Sequence, residues 1–313
     1  MTAERDPLLS ICIPTYNRAE LLGTMLENLV SQDAFRNGAD IEIVISDNAS
    51  TDETRAVGET YAARHPEKIR YFRNPENIQD ANFGLALSRG RGVFLKLSND
   101  TLLHSSAGLE KTLEAIRRYR AERPILCLKN GTPPWRPDTR ISTLDAFWRE
   151  RSFLTTWIAE FGIWREDFTS AQDFARAADT HLTQVDVLLR LMQRKRDAVV
   201  VEGGFFTGIP RKRMGVGSVN SARVFGTDYF DLLAPYVEAG EISRATLGRE
   251  KWRVFRNLIL PTALITRPGF LFPKDNFTHH LFKHFHSKWY FWCAIPFSVA
   301  ARVIARVRRA LDI

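Results

Sequence analysis

Two stretches decide the fold: Ile43-Val44-Ile45-Ser46-Asp47-Asn48-Ala49-Ser50-Thr51-Asp52 and Leu97-Ser98-Asn99-Asp100. Each is an apolar run that breaks abruptly into polar, acid-bearing residues. Ile41–Ile45 and Val93–Leu97 lack the alternation of a half-exposed strand, so they predict strands buried on both faces. In an open α/β sheet the carboxyl ends of such strands face a common crevice, so Asp47 and Asp100 can meet one ligand although they are far apart in sequence.

Outward from these runs, the chain repeats strand, polar loop and helix. Leu8–Ile13 predicts a first buried strand closed by Pro14. From Ala19 to Val30, Leu21, Leu22, Met25, Leu26, Leu29 and Val30 recur at spacings of three and four, which predicts an amphipathic helix. A second helix is expected over Thr54–Ala63, ended by His65-Pro66, with Asp52 as its N-terminal cap. Ile69–Phe72 reads as a strand, Asn74-Pro75-Glu76-Asn77 as a turn, Asp80–Ser88 as a helix, Gly108–Arg120 as another, and Ile125–Leu128 as a strand. Asn130–Asp138, rich in proline, predicts a loop that shapes an acceptor pocket; Thr143–Arg196 reads as mostly helical, and Ala198–Val201 as a last strand. This alternation predicts an α/β fold, a mostly parallel sheet with helices on both faces.

The chain has 313 residues and a net charge of +8, enough length for one large domain with an appendage. Cys12, Cys127 and Cys293 have no paired spacing, and Met1–Asp6 lacks the order of a signal peptide, so a cytoplasmic location is expected. Domain limits are expected at 1–205, and at 206–313 for a basic loop followed by a helical extension. Gly203–Ser218 carries five glycines with Arg211-Lys212-Arg213, a mobile loop suited to closing over a pyrophosphate. From Arg267 to Ile313, eight Lys or Arg face only Asp275 and Asp312 and are interleaved with aromatic residues. That mixture predicts contact with an anionic membrane surface through about 267–313, or packing in a homo-oligomer. The apolar run Trp289–Ala301 is too short for a bilayer, which needs roughly 20 residues. No nucleic-acid motif accompanies these rings, so nucleic acid is not an expected partner. Trp148, Phe153, Trp157, Phe161 and Trp164 form a dense aromatic group, read either as core or as surfaces for sugar rings.

Several motifs in order (Leu9–Arg18, Ile43–Asp52, Asn77-Ile78 with Asn82-Phe83, and Leu97–Asp100) resemble the family 2 glycosyltransferases of the GT-A fold. The resemblance covers about residues 8–105 and is similar above all to bacterial transferases that build O-antigen and other surface polysaccharides. It implies an inverting transfer of a sugar from a nucleotide-sugar to a hydroxyl of a lipid-linked or polysaccharide acceptor, at the inner face of the cell membrane.

By that resemblance, Pro14, Thr15, Tyr16 and Asn17 hold the nucleoside, with Tyr16 packing on the base. Asp47 accepts the base N–H, which favours uracil or thymine over cytosine, because cytosine lacks that ring proton. Arg73 and Asn77 reach the base or the phosphates. Relatives commonly carry consecutive acids or Asp-x-Asp at the metal motif, whereas this chain has Ser98-Asn99-Asp100-Thr101. Asn99 is then left to bond a ribose hydroxyl and Asp100 to hold a divalent cation, Mn²⁺ or Mg²⁺. The family's general base precedes a later helix, which points to Asp179, then to His181, with Asp167 and Asp173 weaker candidates; a helix-capping role for Asp179 is equally open. Two other readings stay open. One is a catalytically degenerate GT-A-like binding protein, suggested by Asn99 and by the missing paired acids. The other is a nucleotidyltransferase, although Pro14–Arg18 lacks the glycine-rich loop expected of one.

Overall fold

The structure, a computed structural model, describes residues 6–170, 173–174, 176–209, 220–261 and 276–293. The chain divides into two compact units. The first comprises Met1–Thr143, Leu154–Asp179 and Thr183–Pro210; the second comprises Leu144–Phe153, Thr180–Leu182 and Arg211–Ile313.

The first unit opens with β1 (Leu9–Thr15), α1 (Ala19–Ser31), β2 (Ile41–Asp47), α2 (Thr54–Arg64), β3 (Ile69–Arg73), α3 (Ala81–Ser88) and β4 (Phe94–Leu97). β5 (Leu102–His104), α4 (Ser106–Tyr119), β6 (Ile125–Asn130), β7 (Thr139–Ile141), β8 (Gly162–Trp164), β9 (Ala198–Gly203) and β10 (Phe206–Gly208) follow. The main sheet has the order β3-β2-β1-β4-β8, in which the first four strands are parallel and β8 is antiparallel to β4. β6 and β9 pair in parallel, with β7 antiparallel at the edge, and β5 pairs with β10.

The parallel strands are buried as their continuous apolar runs require. Ile11, Ile13, Ile43, Ile45 and Phe94 are wholly enclosed, and α1 turns Leu22, Met25, Leu26 and Leu29 into the same core. Leu21 and Val30, also expected on that face, are half-buried. The expected starts and ends of α1 and α2 hold to within a residue. The N-cap position before Thr54 is Glu53 rather than the expected Asp52, yet Asp52 accepts the first N–H of both helices: Oδ1 that of Thr54 at 3.0 Å and Oδ2 that of Ala19 at 3.2 Å.

Several expectations need correction. The stretch 143–196 is not all helical, since Gly162–Trp164 forms the antiparallel edge strand of the main sheet. Three residues inside a helix-rich segment are too few for a strand period to register. Their strand is specified tertiarily, by Phe94 against Trp164 (ring centroids 5.0 Å apart) and by the indole N–H of Trp164 donating to the Pro124 carbonyl at 2.6 Å. Likewise Phe206–Gly208, assigned to a basic loop, is a strand against β5. The remainder of that loop, 210–219, lies outside the described residues.

The second unit is helical among its described residues: Leu144–Arg151, Tyr229–Glu238, Arg244–Val254 and Phe277–Phe285, with π-helical turns at Val224–Asp228 and Phe255–Ile259. A buried polar chain ties it together. Trp148 Nε1 donates to the Tyr229 hydroxyl at 3.0 Å, that hydroxyl donates to Glu250 Oε1 at 2.7 Å, and Ser152 Oγ donates to Glu250 Oε2 at 2.7 Å. Burial raises the Glu250 pKa above the usual carboxylate range despite these donors. No helix among the described residues is long and apolar enough to cross a membrane. Much of the basic, aromatic segment 267–313, namely 267–275 and 294–313, lies outside the described residues.

Gly92 sets the approach of β4 to β1. A Cβ there would lie 2.5 Å from the backbone N of Ser10, an atom of the central strand that cannot move away. Gly92→Ala is therefore expected to cost about 1–3 kcal/mol of stability through overpacking, read as a lower urea midpoint at unchanged slope; an unchanged midpoint would show that the contact relaxes.

Candidate functional site

Strand register builds the site. Thr15, Asp47 and Arg73 are mutual partners across β1, β2 and β3, so three of the expected site residues form one row at the carboxyl edge of the sheet. β1 and β4 pair with Cys12 opposite Leu97, and both chains then run on three residues, to Thr15 and to Asp100. The Thr15 hydroxyl donates to Asp100 Oδ2 at 2.9 Å. Asp47 and Asp100 are thus both reached from Thr15, one by pairing and the other by hydrogen bond.

Asp47 is fully buried. Its Oδ1 accepts the Ser50 N–H at 2.9 Å, which closes the turn after β2, and its Oδ2 accepts the Tyr71 hydroxyl at 2.6 Å. Burial and then the neighbouring Asp47 push the Tyr71 pKa up, so this hydroxyl stays a donor. Tyr71 is a site residue that the sequence reading did not identify; its position two residues before Arg73 on β3 was the available signal.

Behind this edge lies a ladder of amides. Asn48 Nδ2 donates to Asn77 Oδ1 at 2.8 Å, and Asn48 Oδ1 accepts from Asn74 Nδ2 at 3.1 Å and from the Ile78 N–H at 3.0 Å. Asn74 Nδ2 also donates to Asn82 Oδ1 at 2.9 Å, while Asn82 Nδ2 donates to the Ser46 carbonyl at 2.9 Å. Arg89 donates to Ser46 Oγ at 2.7 Å and to Asn74 Oδ1 at 3.0 Å. Arg73 donates to the Ser50 carbonyl at 3.2 Å. Asn77 and Arg73 therefore brace the loops after β3 and β2. Buried amides this fully bonded hold a loop in one conformation, because any displacement leaves a donor or acceptor unsatisfied.

At the first strand's exit, Asn17 takes a left-handed backbone (φ 52°). Its N–H donates to Ser50 Oγ at 2.9 Å, and its Oδ1 accepts the Thr51 N–H at 2.8 Å. The strand does not close at Pro14 but pairs it with Ser46 and runs on to Thr15, and the next residue, Tyr16, is left 42% exposed.

The Asn99–Asp100 turn is held from below. Ser98 Oγ and His104 Nε2 lie 2.9 Å apart, the Ser98 N–H donates to the Cys12 carbonyl at 2.9 Å, and the His104 N–H donates to Asn28 Oδ1 on α1 at 2.7 Å. Gln32 Nε2 donates to the His104 carbonyl at 3.0 Å. Burial, and then the nearby Lys96, hold the His104 pKa down to about 3, so the ring is neutral. Lys96 is itself buried and lowered to about 8, chiefly by desolvation; its ammonium donates to the carbonyls of Ala159 and Leu97.

Asp100 is buried, and the side-chain oxygen of neighbouring Asn99 is a buried acceptor with no hydrogen-bond partner. A carboxylate suits a hard cation that takes its other ligands from phosphate and water. Asp100 is the one carboxylate of this turn, and among the described residues no group of three or more His, Cys, Asp or Glu could hold a metal. Asp179 is exposed in the 3₁₀ turn Ala178–Thr180, just before the helix Thr183–Lys195. His181 belongs to the second unit and is half-buried. Asp186 is buried and pairs with Arg176 at 2.5 Å and Arg190 at 2.9 Å; Asp167 pairs with Lys195 at 2.6 Å.

The sequence model of Glycosyl transferase family 2 matches residues 10–172. The abequosyltransferase RfbV of Salmonella typhimurium is 39% identical over 108 residues, 34% of this chain and 32% of that protein. A GalNAc(5)-diNAcBac-PP-undecaprenol beta-1,3-glucosyltransferase of Campylobacter jejuni is 32% identical over 96 residues, 30% of this chain and 29% of that protein. The chain thus spans about a third of the length of these relatives. Among solved structures, S. aureus TarS 1-349 in complex with UDP-GlcNAc superposes with a TM-score of 0.59 at 13% identity, over 94% of this chain and 81% of that one, which shows a shared GT-A fold.

The neutral, buried His104 makes stability depend on acid. Its folded pKa of about 3 lies below the unfolded value of 6.5, so its contribution is complete above pH 6.5 and is lost as the pH falls toward 3. Urea unfolding between pH 6.5 and 4 is expected to weaken by up to about 1.4 kcal/mol per pH unit from this group, and His104→Gln is expected to flatten that slope. Equal slopes in both proteins would assign the acid sensitivity elsewhere.

Proposed function

Since the chain belongs to glycosyl transferase family 2, we propose that it is an inverting glycosyltransferase, moving a sugar from a UDP- or dTDP-type donor to a hydroxyl of a lipid-linked or polysaccharide acceptor. The observation that carries this reading is the row Thr15, Asp47 and Arg73 at one sheet edge, with Asp100 bonded to Thr15. A nucleoside diphosphate needs an acceptor for its base, an aromatic face, and an oxygen ligand for its cation; Asp47, Tyr16 and Asp100 are residues of those kinds.

In this reading Tyr16 packs on the base and Asp47 takes the ring N–H, alongside the Tyr71 hydroxyl it already accepts. Asp100 would hold Mg²⁺ or Mn²⁺, which supplies charge neutralisation at the leaving diphosphate, and the unpartnered oxygen of Asn99 would accept a ribose hydroxyl. The acceptor oxygen attacks the anomeric carbon as its bond to the diphosphate oxygen breaks, and the acceptor proton passes to a base. Asp179, exposed before a helix, is the proposed base, with His181 next.

Support for a lipid-linked acceptor comes from the Campylobacter relative, whose name specifies an undecaprenol diphosphate substrate. We extend the proposal to peripheral attachment at the inner face of the membrane through 267–313. In the second unit Trp289 is 73% exposed, Trp292 52% and Phe282 47%, rings of the kind that settle at a lipid headgroup boundary.

A thermal-shift panel of nucleoside diphosphates with and without Mn²⁺ tests the donor and the metal together, because a ligand of the native state raises its melting temperature by mass action. UDP or dTDP is expected to stabilise more than CDP, with a further rise on adding Mn²⁺. Asp100→Ala is expected to remove the Mn²⁺ increment and donor turnover, and Asp47→Ala to weaken UDP binding with the fold intact. No shift with any nucleotide would favour the degenerate binding protein, and full Mn²⁺-dependent activity in Asp100→Ala would refute the metal assignment.

A further inference from the structure

The aromatic group 148–164 resolves unequally. Trp148, Phe161 and Trp164 are buried, whereas Trp157 is 38% exposed. Its position is fixed: its N–H donates to the Leu154 carbonyl at 3.1 Å, its carbonyl accepts the Glu160 N–H at 3.0 Å, and the preceding Thr156 carbonyl accepts Gln184 Nε2 at 2.6 Å. The indole and the Phe206 ring pack at right angles, with centroids 5.0 Å apart and planes at 89°.

Phe206 is in turn immobilised. Asn130 Oδ1 accepts the N–H groups of Phe205 at 2.8 Å and Phe206 at 3.1 Å, and Asn130 Nδ2 donates to the Phe206 carbonyl at 3.1 Å. The Phe206 ring carries the Lys96 ammonium over its face at 5.5 Å and lies 6.4 Å from the His104 ring, its register partner on β5. His104 bonds Ser98, the residue before Asn99 and Asp100. A continuous chain of packed groups therefore runs from Trp157 to the turn that bears the candidate cation ligand. Tyr16 reaches the same turn through its neighbour Thr15.

The other exposed indole described in the first unit is differently placed. Trp135 is 43% exposed, but its ring face carries the Lys111 ammonium at 5.2 Å. Among the described residues no cation lies over Trp157, and a part-exposed indole held in place by its packing is a platform for a ligand with one apolar face and a polar rim. A pyranose ring has that form: axial C–H groups on a face, hydroxyls around the edge. We infer that Trp157 is a carbohydrate-stacking residue that binds the acceptor's terminal pyranose.

The inference rests on the glycosyltransferase reading, and one experiment separates the two. Saturation-transfer NMR is recorded on the full chain with UDP and Mn²⁺, using methyl pyranosides of glucose, galactose, mannose and N-acetylglucosamine as probes. At least one glycoside is expected to receive saturation, strongest at the C–H groups of one ring face. Trp157→Ala should weaken that binding at least about threefold, the scale of one aromatic contact, while the UDP melting shift stays at the wild-type value. Trp157→Phe should restore part of the binding and Trp157→Leu none. If no glycoside receives saturation, or if Trp157→Ala binds like wild type, the stacking role is overturned whatever UDP does. If glycosides bind through Trp157 but no nucleotide shifts the melting temperature, the donor reading fails and the carbohydrate site stands.

Discussion

The register of β1 against its two neighbours is the constraint on which the rest of the site depends. Parallel pairing fixes Thr15 opposite Asp47 on one side, and on the other it carries Thr15 as far past Cys12 as Asp100 lies past Leu97. A one-residue slip would turn every side chain to the opposite face and move the apolar residues out of the core. The Thr15–Asp100 hydrogen bond therefore needs no separate device to bring its partners together. It follows from burying Ile11, Ile13, Ile43, Ile45 and Leu97, and the stability of the core is also the precision of the site.

Much of this was legible in the sequence because the parallel strands are short continuous apolar runs and the helices between them keep a three-to-four spacing. Those patterns located β1 to β4, α1 to α4, β6 and β9 to within a few residues. Asp52 was also legible, as an acid placed just before a helix, and it accepts the first N–H of two helices rather than one. The strands that escaped, Leu102–His104, Thr139–Ile141, Gly162–Trp164 and Phe206–Gly208, are three residues each and owe their conformation to partners distant in sequence. No local period can encode a strand that exists because Phe94 packs on Trp164.

The same distinction runs through the site. Asp47, Asp100, Thr15 and Tyr16 could be singled out because each ends a recognisable strand. Arg73 and Asn77 were expected at the ligand, and the structure uses both to brace neighbouring loops, through the Ser50 carbonyl and the Asn48 amide. Tyr71 and His104 were not singled out, and Asn82 only as part of a motif, since a tyrosine in a strand or an asparagine in a helix is unremarkable until its partner is known. His104 and Asn82 are buried and Tyr71 is half-buried. A buried amide or imidazole left without a partner costs about 1–3 kcal/mol, so each one found in a bonded pair holds its loop in a single place.

That observation bears on the proposed cation site, which has the single carboxylate Asp100. A cation site made from several acids tolerates some looseness, because any two can close on the ion. A site with Asp100 as its one carboxylate has less charge and needs its geometry set beforehand. The structure sets it from three directions: Thr15 on Asp100, His104 on Ser98, and Asn28 with Gln32 on the backbone of His104. Asn28 lies on α1 and Gln32 caps its end, and the same helix begins directly after the Tyr16-Asn17-Arg18 loop. One helix therefore positions the candidate nucleoside loop at its start and the candidate cation turn near its end. The relative placement of these two loops is then a property of one rigid element, the kind of preorganisation that a site with a single carboxylate needs.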